Sequence, residues 1–415
     1  MTQIQVHLAD LPGGAGRRDM RVGTIYANTR RGRLTSVFSY DPAYVVESGA
    51  YAIDPAIPLG AGSWPSRGSL PQAVLDAAPD RWGRMLVAKR EAALARESGR
   101  APRSLNDADF LLGVADLTRQ GALRFALTPG GEFHHPVPEV PKLVELPALL
   151  QAADEAARDG DETGEAVRTL LDAGSASLGG ARPKAAVRDG ERLTIAKFPH
   201  AGDRWDVMAW EAVALGLARA AGIAVAATRL VQVAGRAVLL SERFDRRGAS
   251  RVGYISALTA TGLNGAAQAD YLDVVNALAQ VSADPSRDLA DLWRRIALSV
   301  AIHNTDDHLR NLGLLRVRGG WRLSPAFDLN PNPVGATARV TPLGGATGAD
   351  DTAATLLAYA EAFGLTAGQA RQEAARVACA VSRWSSLAEG AGVSKPEQER
   401  FRGVFESGTA ALASL

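Results

Sequence analysis

The most informative segment of this chain for its fold is His303-Asn304-Thr305-Asp306-Asp307-His308-Leu309-Arg310-Asn311. It follows an amphipathic helical pattern that starts near Asp284-Pro285. Asp306 and Asn311 stand in the D-x4-N spacing of a kinase catalytic loop, where the aspartate accepts a hydroxyl proton and the asparagine holds magnesium. Two histidines and two aspartates also allow a metal-hydrolase site. We rank that alternative lower because no further His-rich cluster supplies the remaining ligands.

A second segment, Leu323-Ser324-Pro325-Ala326-Phe327-Asp328-Leu329, follows shortly after this loop. Gly319-Gly320 lies between the two segments and predicts a hairpin turn. Such a hairpin brings Asp328 back beside Asn311, where both side chains can bind a magnesium ion that bridges nucleotide phosphates. Phe-Asp-Leu stands where kinases have Asp-Phe-Gly, so the assignment of Asp328 depends on its position.

Upstream, a glycine-rich stretch reads Ser177-Leu178-Gly179-Gly180-Ala181-Arg182-Pro183-Lys184. Adjacent glycines let the backbone present N–H groups to phosphate oxygens, although taken alone the stretch is more typical of an ordinary tight turn. Residues 184–188 and 193–197 read as two strands joined by a turn at Asp189-Gly190. A lysine at the end of such a hairpin, here Lys197, can deliver its charge to ATP phosphates; the alternative is a solvated strand end.

The next pattern, residues 203–221, predicts a helix closed by Gly222. Glu211 lies beside Met208 and Leu215 on its apolar stripe, where a carboxylate is costly unless it is paired. An ion pair between Lys197 and Glu211 would satisfy this carboxylate and aim the lysine at phosphate. The alternative is that Glu211 sits at the edge of the stripe and reaches water.

The composition of the 415 residues limits the class of protein. Apolar residues make up 47% and charged residues 22%, which predicts a globular chain of two or three packed units. The single cysteine, Cys379, excludes an internal disulfide and a thiolate zinc site. The net charge of +1 predicts no general attraction to nucleic acid or membrane. Without a signal core or a long apolar run, we expect a cytoplasmic protein with no membrane partner.

The rest of the chain predicts how these segments are organised. Residues 22–26 and 35–40 alternate as strands, and the proline-rich residues 127–144 indicate a boundary. After residue 345 the chain is alanine-rich and helical.

These segments together resemble the HipA family of serine/threonine kinases, the toxins of type II toxin–antitoxin pairs. The matching residues are 177–184, Ile-Ala-Lys-Phe-Pro (195–199), Ser-Glu-Arg-Phe-Asp-Arg (241–246), 304–311 and 324–329, with 79–84, 109–113 and 121–125 further upstream. The resemblance therefore spans nearly the whole chain.

The resemblance implies an α+β fold: a protein-kinase-like, two-lobed fold with an additional N-terminal β-rich subdomain and an all-α C-terminal lobe. The expected domains are an N-terminal subdomain (1–125), a kinase N-lobe-like region (126–246) and a helical C-lobe (247–415).

It also implies ATP and Mg²⁺ as cofactors, with Asp306 as base and Asn311 and Asp328 as magnesium ligands. Lys197, paired with Glu211, would bind phosphate. The remaining ATP-binding residues would be Ser177, Leu178, Gly179, Gly180, Ala181, Lys184, Glu242, Arg243 and Phe244, the last three forming the hinge that meets adenine.

Family members autophosphorylate a serine of the glycine-rich loop, and Ser177 holds the matching position. Ser175 is a second serine close by. The alternative is that Ser177 only shapes the turn. The implied partners are a helix-turn-helix antitoxin of the HipB type, operator DNA through that antitoxin, and a protein substrate such as an aminoacyl-tRNA synthetase. The near-neutral charge argues against direct DNA contact by this chain.

Two other functions stay open from the sequence. A small-molecule phosphotransferase of the aminoglycoside or choline type also uses a D-x4-N loop. A catalytically inactive kinase that serves as a corepressor is the second alternative, although every expected catalytic residue type is present.

Overall fold

The computed structural model describes residues 2–10, 18–134, 140–158, 164–175, 180–263 and 269–415. The chain divides into two compact units. The first consists of Met1–Gly202 and Val231–Ile255, and the second of Asp203–Leu230 and Ser256–Leu415. The predicted boundary at residue 125 falls inside the first unit and remains a prediction.

A five-stranded antiparallel sheet opens the first unit, in the order β4-β3-β2-β1-β5. Its strands are β1 (Thr2–Asp10), β2 (Arg18–Arg30), β3 (Arg33–Tyr40), β4 (Trp64–Pro65) and β5 (Leu123–Ala126). Ile4, Val6, Ile25 and Phe38 are fully buried, because alternate residues of a strand share one face. Both strand patterns predicted from this region lie within β2 and β3.

The first unit also contains short and medium helices. They are α1 (Pro42–Val45), α2 (Gln72–Leu75), α3 (Arg81–Glu97), α4 (Asp107–Leu112), α5 (Leu146–Ala157) and α6 (Glu165–Asp172), with a 3₁₀ turn at Leu143–Glu145. Helix α3 begins where the Asp80 carboxylate accepts the backbone N–H of Gly83 at 3.0 Å. Leu149 and Leu150 of α5 and Leu170 of α6 belong to one buried cluster.

The second sheet of this unit has the strand order β6-β7-β9-β8. Its strands are β6 (Lys184–Asp189), β7 (Arg192–Lys197), β8 (Thr228–Val233) and β9 (Arg236–Glu242), and short strands follow at β10 (Arg246–Arg247), β11 (Ser250–Arg251) and β12 (Tyr254–Ser256). The predicted turn at Asp189-Gly190 is present, with Gly190 at a φ of 59°. This register sets Lys184 opposite Lys197.

The second unit is mainly helical in its described residues, with a β-hairpin among the helices. Its elements are α7 (Val207–Ala220), α8 (Ala257–Thr261), α9 (Tyr271–Val281), α10 (Pro285–Ala301), β13 (Gly313–Val317), β14 (Gly320–Leu323), α11 (Ala349–Ala358), a 3₁₀ turn (Ala360–Phe363), α12 (Ala367–Val381), α13 (Trp384–Gly390) and α14 (Lys395–Ala413). The expected all-α region therefore also holds the hairpin β13–β14, which the sequence predicted at Gly319-Gly320. Helix α7 starts later than predicted because Asp206 caps it, accepting the N–H of Ala209 at 2.9 Å.

In the described residues, no helix has both the length and the apolar character that crossing a membrane requires.

Candidate functional site

The loop after α10 is fixed by the segment around residue 332. His303 takes a left-handed backbone conformation, with a φ of 51°, as the chain leaves the helix. Its Nδ1 lies 2.7 Å from the backbone oxygen of Asn332, whose own N–H donates to the His303 carbonyl at 3.1 Å. The Asn332 amide also donates to the Thr305 hydroxyl at 3.0 Å. These bonds fix the start of the loop ahead of Asp306 and Asn311.

Asp306 and Asn311 are joined within this loop. The side-chain Nδ2 of Asn311 donates to the backbone carbonyl of Asp306 at 3.1 Å. A carbonyl oxygen can only accept a hydrogen bond, so the atom of the Asn311 amide that faces it is the nitrogen. The amide oxygen of Asn311 is then left to bind a cation. Asp306 itself is exposed, which its predicted role as a base for a substrate hydroxyl requires.

Asp328 lies close enough to Asp306 to affect the pKa of its carboxyl. Desolvation raises the pKa of Asp306, the carboxylates of Asp328 and Asp307 raise it further, and His308 opposes the shift. Asp328 reaches this position through the β13–β14 hairpin, in which Leu314 pairs with Leu323. After the hairpin, Ala326 donates its N–H to the carbonyl of Ala224 at 2.7 Å. The hairpin prediction is therefore confirmed.

The backbone of Asp328 is strained, because its φ of 57° is one that residues other than glycine rarely adopt. Asn330 donates from Nδ2 to Oδ1 of Asp328 at 3.4 Å. Asn304, His308, Asn311 and Asp328 line one pocket of the second unit. Within the described part of the chain, Oδ1 of Asn304 and Nδ1 of His308 are buried and have no hydrogen-bond partner. The pocket therefore offers polar atoms to a ligand or to water.

Asp307, the second aspartate of the loop, supports the structure instead of facing outward. Its buried carboxylate accepts the Tyr271 hydroxyl at 2.8 Å and the guanidinium of Arg339. The Thr341 hydroxyl donates to its backbone carbonyl at 2.8 Å. Sequence reasoning missed Tyr271 and Arg339, since no local pattern ties residues so far along the chain to the loop.

Replacing Tyr271 by phenylalanine is expected to destabilise the second unit by about 1.5–3 kcal/mol, the range for a hydrogen bond to a charged group. Burial raises the pKa of Tyr271 well above its ordinary value, so the hydroxyl keeps its proton and donates. Turnover should be retained because Arg339 still holds Asp307. Thermal denaturation and phosphoryl-transfer assays measure the two effects. Tyr359→Phe, at a tyrosine that is 44% exposed, is the matched control; equal melting temperatures for both variants would contradict the assignment.

Of the predicted glycine-rich residues, Ser177, Leu178 and Gly179 lie outside the described residues. Gly180 has a φ of 109°, and a Cβ there would lie 2.6 Å from Nζ of Lys184. Lys184 is almost completely buried, and its Nζ donates to Oδ2 of Asp80 at 3.0 Å. The structure thus gives this lysine an ion pair that the sequence did not predict.

Ser175 anchors the other end of the same stretch. It is fully buried, its hydroxyl donates to the backbone carbonyl of Lys184, and it accepts the indole N–H of Trp82 at 3.4 Å. Both flanks of the glycine-rich residues are therefore tied to residues 80–82.

Lys197 and Glu211 lie on different units. Lys197 is half-buried at the end of β7. Glu211 is only 2% exposed on α7, so the alternative in which it reaches water is wrong. The ion pair between them stays a prediction.

The predicted hinge residues have different environments. Glu242 is the last residue of β9, opposite Thr194, and its carboxylate accepts a hydrogen bond from Nη1 of Arg192 at 3.1 Å. Arg243 is buried, donating to the backbone oxygen of Thr118 at 2.5 Å and to Oδ1 of Asp245 at 2.8 Å. The side chain of Arg243 is thus committed to the fold, and only its backbone is left for a nucleotide.

The residues present fit the ATP and magnesium that a kinase site needs. Asn311 offers an amide oxygen and Asp328 a carboxylate, and phosphate oxygens and water would complete the ligands of a magnesium ion held there. Among the residues that the structure describes, no group of three or more His, Cys, Asp or Glu side chains could hold a metal ion. When bound, the magnesium ion would supply charge neutralisation to the phosphates.

The chain has a protein-kinase-like fold, with a β-rich first unit and a helical second unit that carries the loop. The family model described as HipA-like C-terminal domain matches residues 176–384, which is half of the chain, and the chain therefore belongs to the HipA family. The resemblance and the fold class predicted from the sequence are confirmed.

Two solved structures are similar to this chain. One is from the Shewanella oneidensis MR-1 toxin–antitoxin complex of HipA, HipB and operator DNA, with 16% identity, a TM-score of 0.69, and 99% of this chain and 97% of that chain covered. The other is the Helicobacter pylori proinflammatory kinase CtkA, with 14% identity, a TM-score of 0.42, and 57% of this chain and 93% of that chain covered. No curated protein matches the chain.

Proposed function

We propose that this chain is an ATP-dependent serine/threonine protein kinase that acts as the toxin of a type II toxin–antitoxin system. The bond from the Asn311 amide to the Asp306 backbone carries the proposal, because it sets an exposed aspartate beside an amide oxygen that suits magnesium. Asp328, which interacts electrostatically with Asp306, completes the set. Phosphoryl transfer needs this combination of a base and metal ligands more than it needs covalent chemistry.

Each residue has a role in this proposal. Asp306 accepts the hydroxyl proton, and Asn311 and Asp328 bind Mg²⁺. Lys197, paired with Glu211, neutralises the phosphates of ATP. Residues 177–181 cover those phosphates, and Lys184 contributes by fixing the end of the loop, since its ammonium bonds Asp80. The backbone of Glu242, Arg243 and Phe244 meets adenine.

The proposed partners follow from membership of the HipA family. We propose a helix-turn-helix antitoxin of the HipB type, with operator DNA reached through it, and a protein substrate such as an aminoacyl-tRNA synthetase. The protein would act in the cytoplasm, where ATP and such a substrate occur.

Incubation of the wild-type chain with labelled ATP and magnesium, followed by phosphosite mapping, tests the kinase and its self-modification together. We expect label on Ser177 and none on Ser175, because the Ser175 hydroxyl is fully buried and donates to Lys184. Ser177→Ala should lose this label and keep the transfer of phosphate to a protein substrate. Bound ATP with no label on any protein would instead favour the small-molecule phosphotransferase or the inactive corepressor.

A further inference from the structure

A cavity of about 470 Å³ lies in the first unit, within the size range of small-ligand sites. Its walls come from the β2–β3 turn, residues 66–69 after β4, the start of α3 and the start of α4. None of the residues assigned to the kinase site lines it. The cavity is therefore a candidate for a second binding site, and the charged and aromatic residues of its walls indicate which kind of ligand it could bind.

The charged groups of this cavity are predominantly positive. Arg33, Arg67 and Arg84 line it together with a single carboxylate, that of Asp107. The Asp107 carboxylate accepts a hydrogen bond from Nη2 of Arg84 at 2.7 Å and another from the Ser69 hydroxyl. Since this carboxylate is committed to Arg84, the charges of Arg33 and Arg67 exceed the negative charge in the walls. The whole chain carries a net charge of only +1, so the excess is local.

Arg33 and Arg67 are both exposed, and they come from separate segments of the chain. No ion pair of Arg33 is formed within the parts of the chain that the structure describes. Two guanidinium groups that converge on one cavity suit a phosphate, which accepts several charge-assisted hydrogen bonds at once. This wall can therefore bind an anion without first breaking an ion pair of Arg33.

The third arginine is held rigidly against an aromatic ring. The guanidinium of Arg84 lies 4.7 Å from the ring centroid of Phe110, and its Nε donates to the backbone oxygen of Pro79 at 3.1 Å. Phe110 and Leu105 are half-buried and supply an apolar wall. An apolar wall beside exposed guanidinium groups is typical of sites for molecules that have both an anionic and an apolar part.

We propose that this cavity binds a small phosphate-bearing molecule. Arg33 and Arg67 bind the phosphate, while Phe110 and Leu105 pack against the remainder of the ligand. A cavity of about 470 Å³ with an apolar wall suits a small molecule, whereas an extended nucleic-acid strand is bound along a groove.

Calorimetric titration of the full chain with inorganic pyrophosphate in EDTA tests this site. The titration is done in a Lys197→Gln background, so that the proposed phosphate lysine of the kinase site does not contribute. Arg33→Gln and Arg67→Gln should each weaken binding about tenfold, as loss of one charge-assisted hydrogen bond predicts. Arg30→Gln is the matched control, because Arg30 is exposed on the same hairpin and does not line the cavity.

Selective weakening by Arg33→Gln and Arg67→Gln supports the site. Equal weakening by Arg30→Gln would show general attraction of anions and overturn it, as would the absence of pyrophosphate binding. Binding of a DNA duplex that is lost in Arg33→Gln, without binding of pyrophosphate, would replace the small-molecule site by a nucleic-acid contact. Because the background lacks Lys197, none of these outcomes depends on the proposed kinase activity.

Discussion

Asp306→Asn is expected to lower the rate of phosphoryl transfer by about 10²- to 10⁴-fold, the usual contribution of a positioned general base. Asparagine has nearly the same shape, so the backbone carbonyl of residue 306 still accepts the Asn311 amide. What is lost is the carboxylate that takes the hydroxyl proton. ATP binding and the melting temperature should therefore stay close to those of the wild type.

Single-turnover transfer from labelled ATP measures this effect, and equilibrium binding of ATP with magnesium shows that the nucleotide site is intact. Asp350→Asn is the matched control, because it removes an exposed carboxylate from α11 of the same unit. An Asp306→Asn variant that transfers phosphate at the wild-type rate would remove Asp306 from the mechanism.

The second large effect is expected on stability. Asp245→Asn should destabilise the first unit by about 3–5 kcal/mol, the cost of leaving buried charge without its partner. Asp245 is 3% exposed, and it accepts hydrogen bonds from Arg243, from Arg246 at 2.8 Å, and from the backbone N–H of Gly121 at 2.8 Å. Burial alone would raise the pKa of Asp245, but Arg243 and Arg246 hold it well below its ordinary value. Burial lowers the pKa of Arg246 to about 9, so its positive charge is also expensive to leave alone.

Thermal and urea denaturation measure this loss. Each kcal/mol corresponds to roughly 2–4 °C in melting temperature for a unit of this size. Glu191→Gln provides the control, since it removes one carboxylate from the exposed β6–β7 turn of the same unit. If Asp245→Asn melted like the control, the buried network would contribute little to stability.

The elements of this fold could be predicted where a local pattern determined them. The periodic apolar residues before His303 predicted α10, while Asp189-Gly190 predicted the β6–β7 turn and Gly319-Gly320 the β13–β14 turn. For Glu211 the sequence left open whether its carboxylate is paired within the apolar stripe or reaches water, and the structure shows it buried. Asp306 and Asn311 were found because their spacing is short enough to lie in one loop.

The remaining features depend on contacts between distant residues, which spacing does not report. Lys184 and Asp80 are separated by 104 positions, and Arg243 and Thr118 by 125. The sequence therefore predicted nucleotide contacts for Lys184 and Arg243, while their side chains bond to the region before residue 125. Likewise, nothing near Asp307 indicates Tyr271 or Arg339.

The ion pair between Lys184 and Asp80 has a consequence for how this protein can be shortened or recombined. The family model begins at residue 176, and a boundary drawn there would separate the lysine from that carboxylate. In the full chain Lys184 is nearly completely buried, and a chain cut at residue 176 would lose the carboxylate that compensates its ammonium. It would also remove Trp82, which donates to Ser175 at the other end of the glycine-rich residues. A segment that is to be expressed alone or exchanged between proteins with these contacts intact therefore has to begin no later than Asp80.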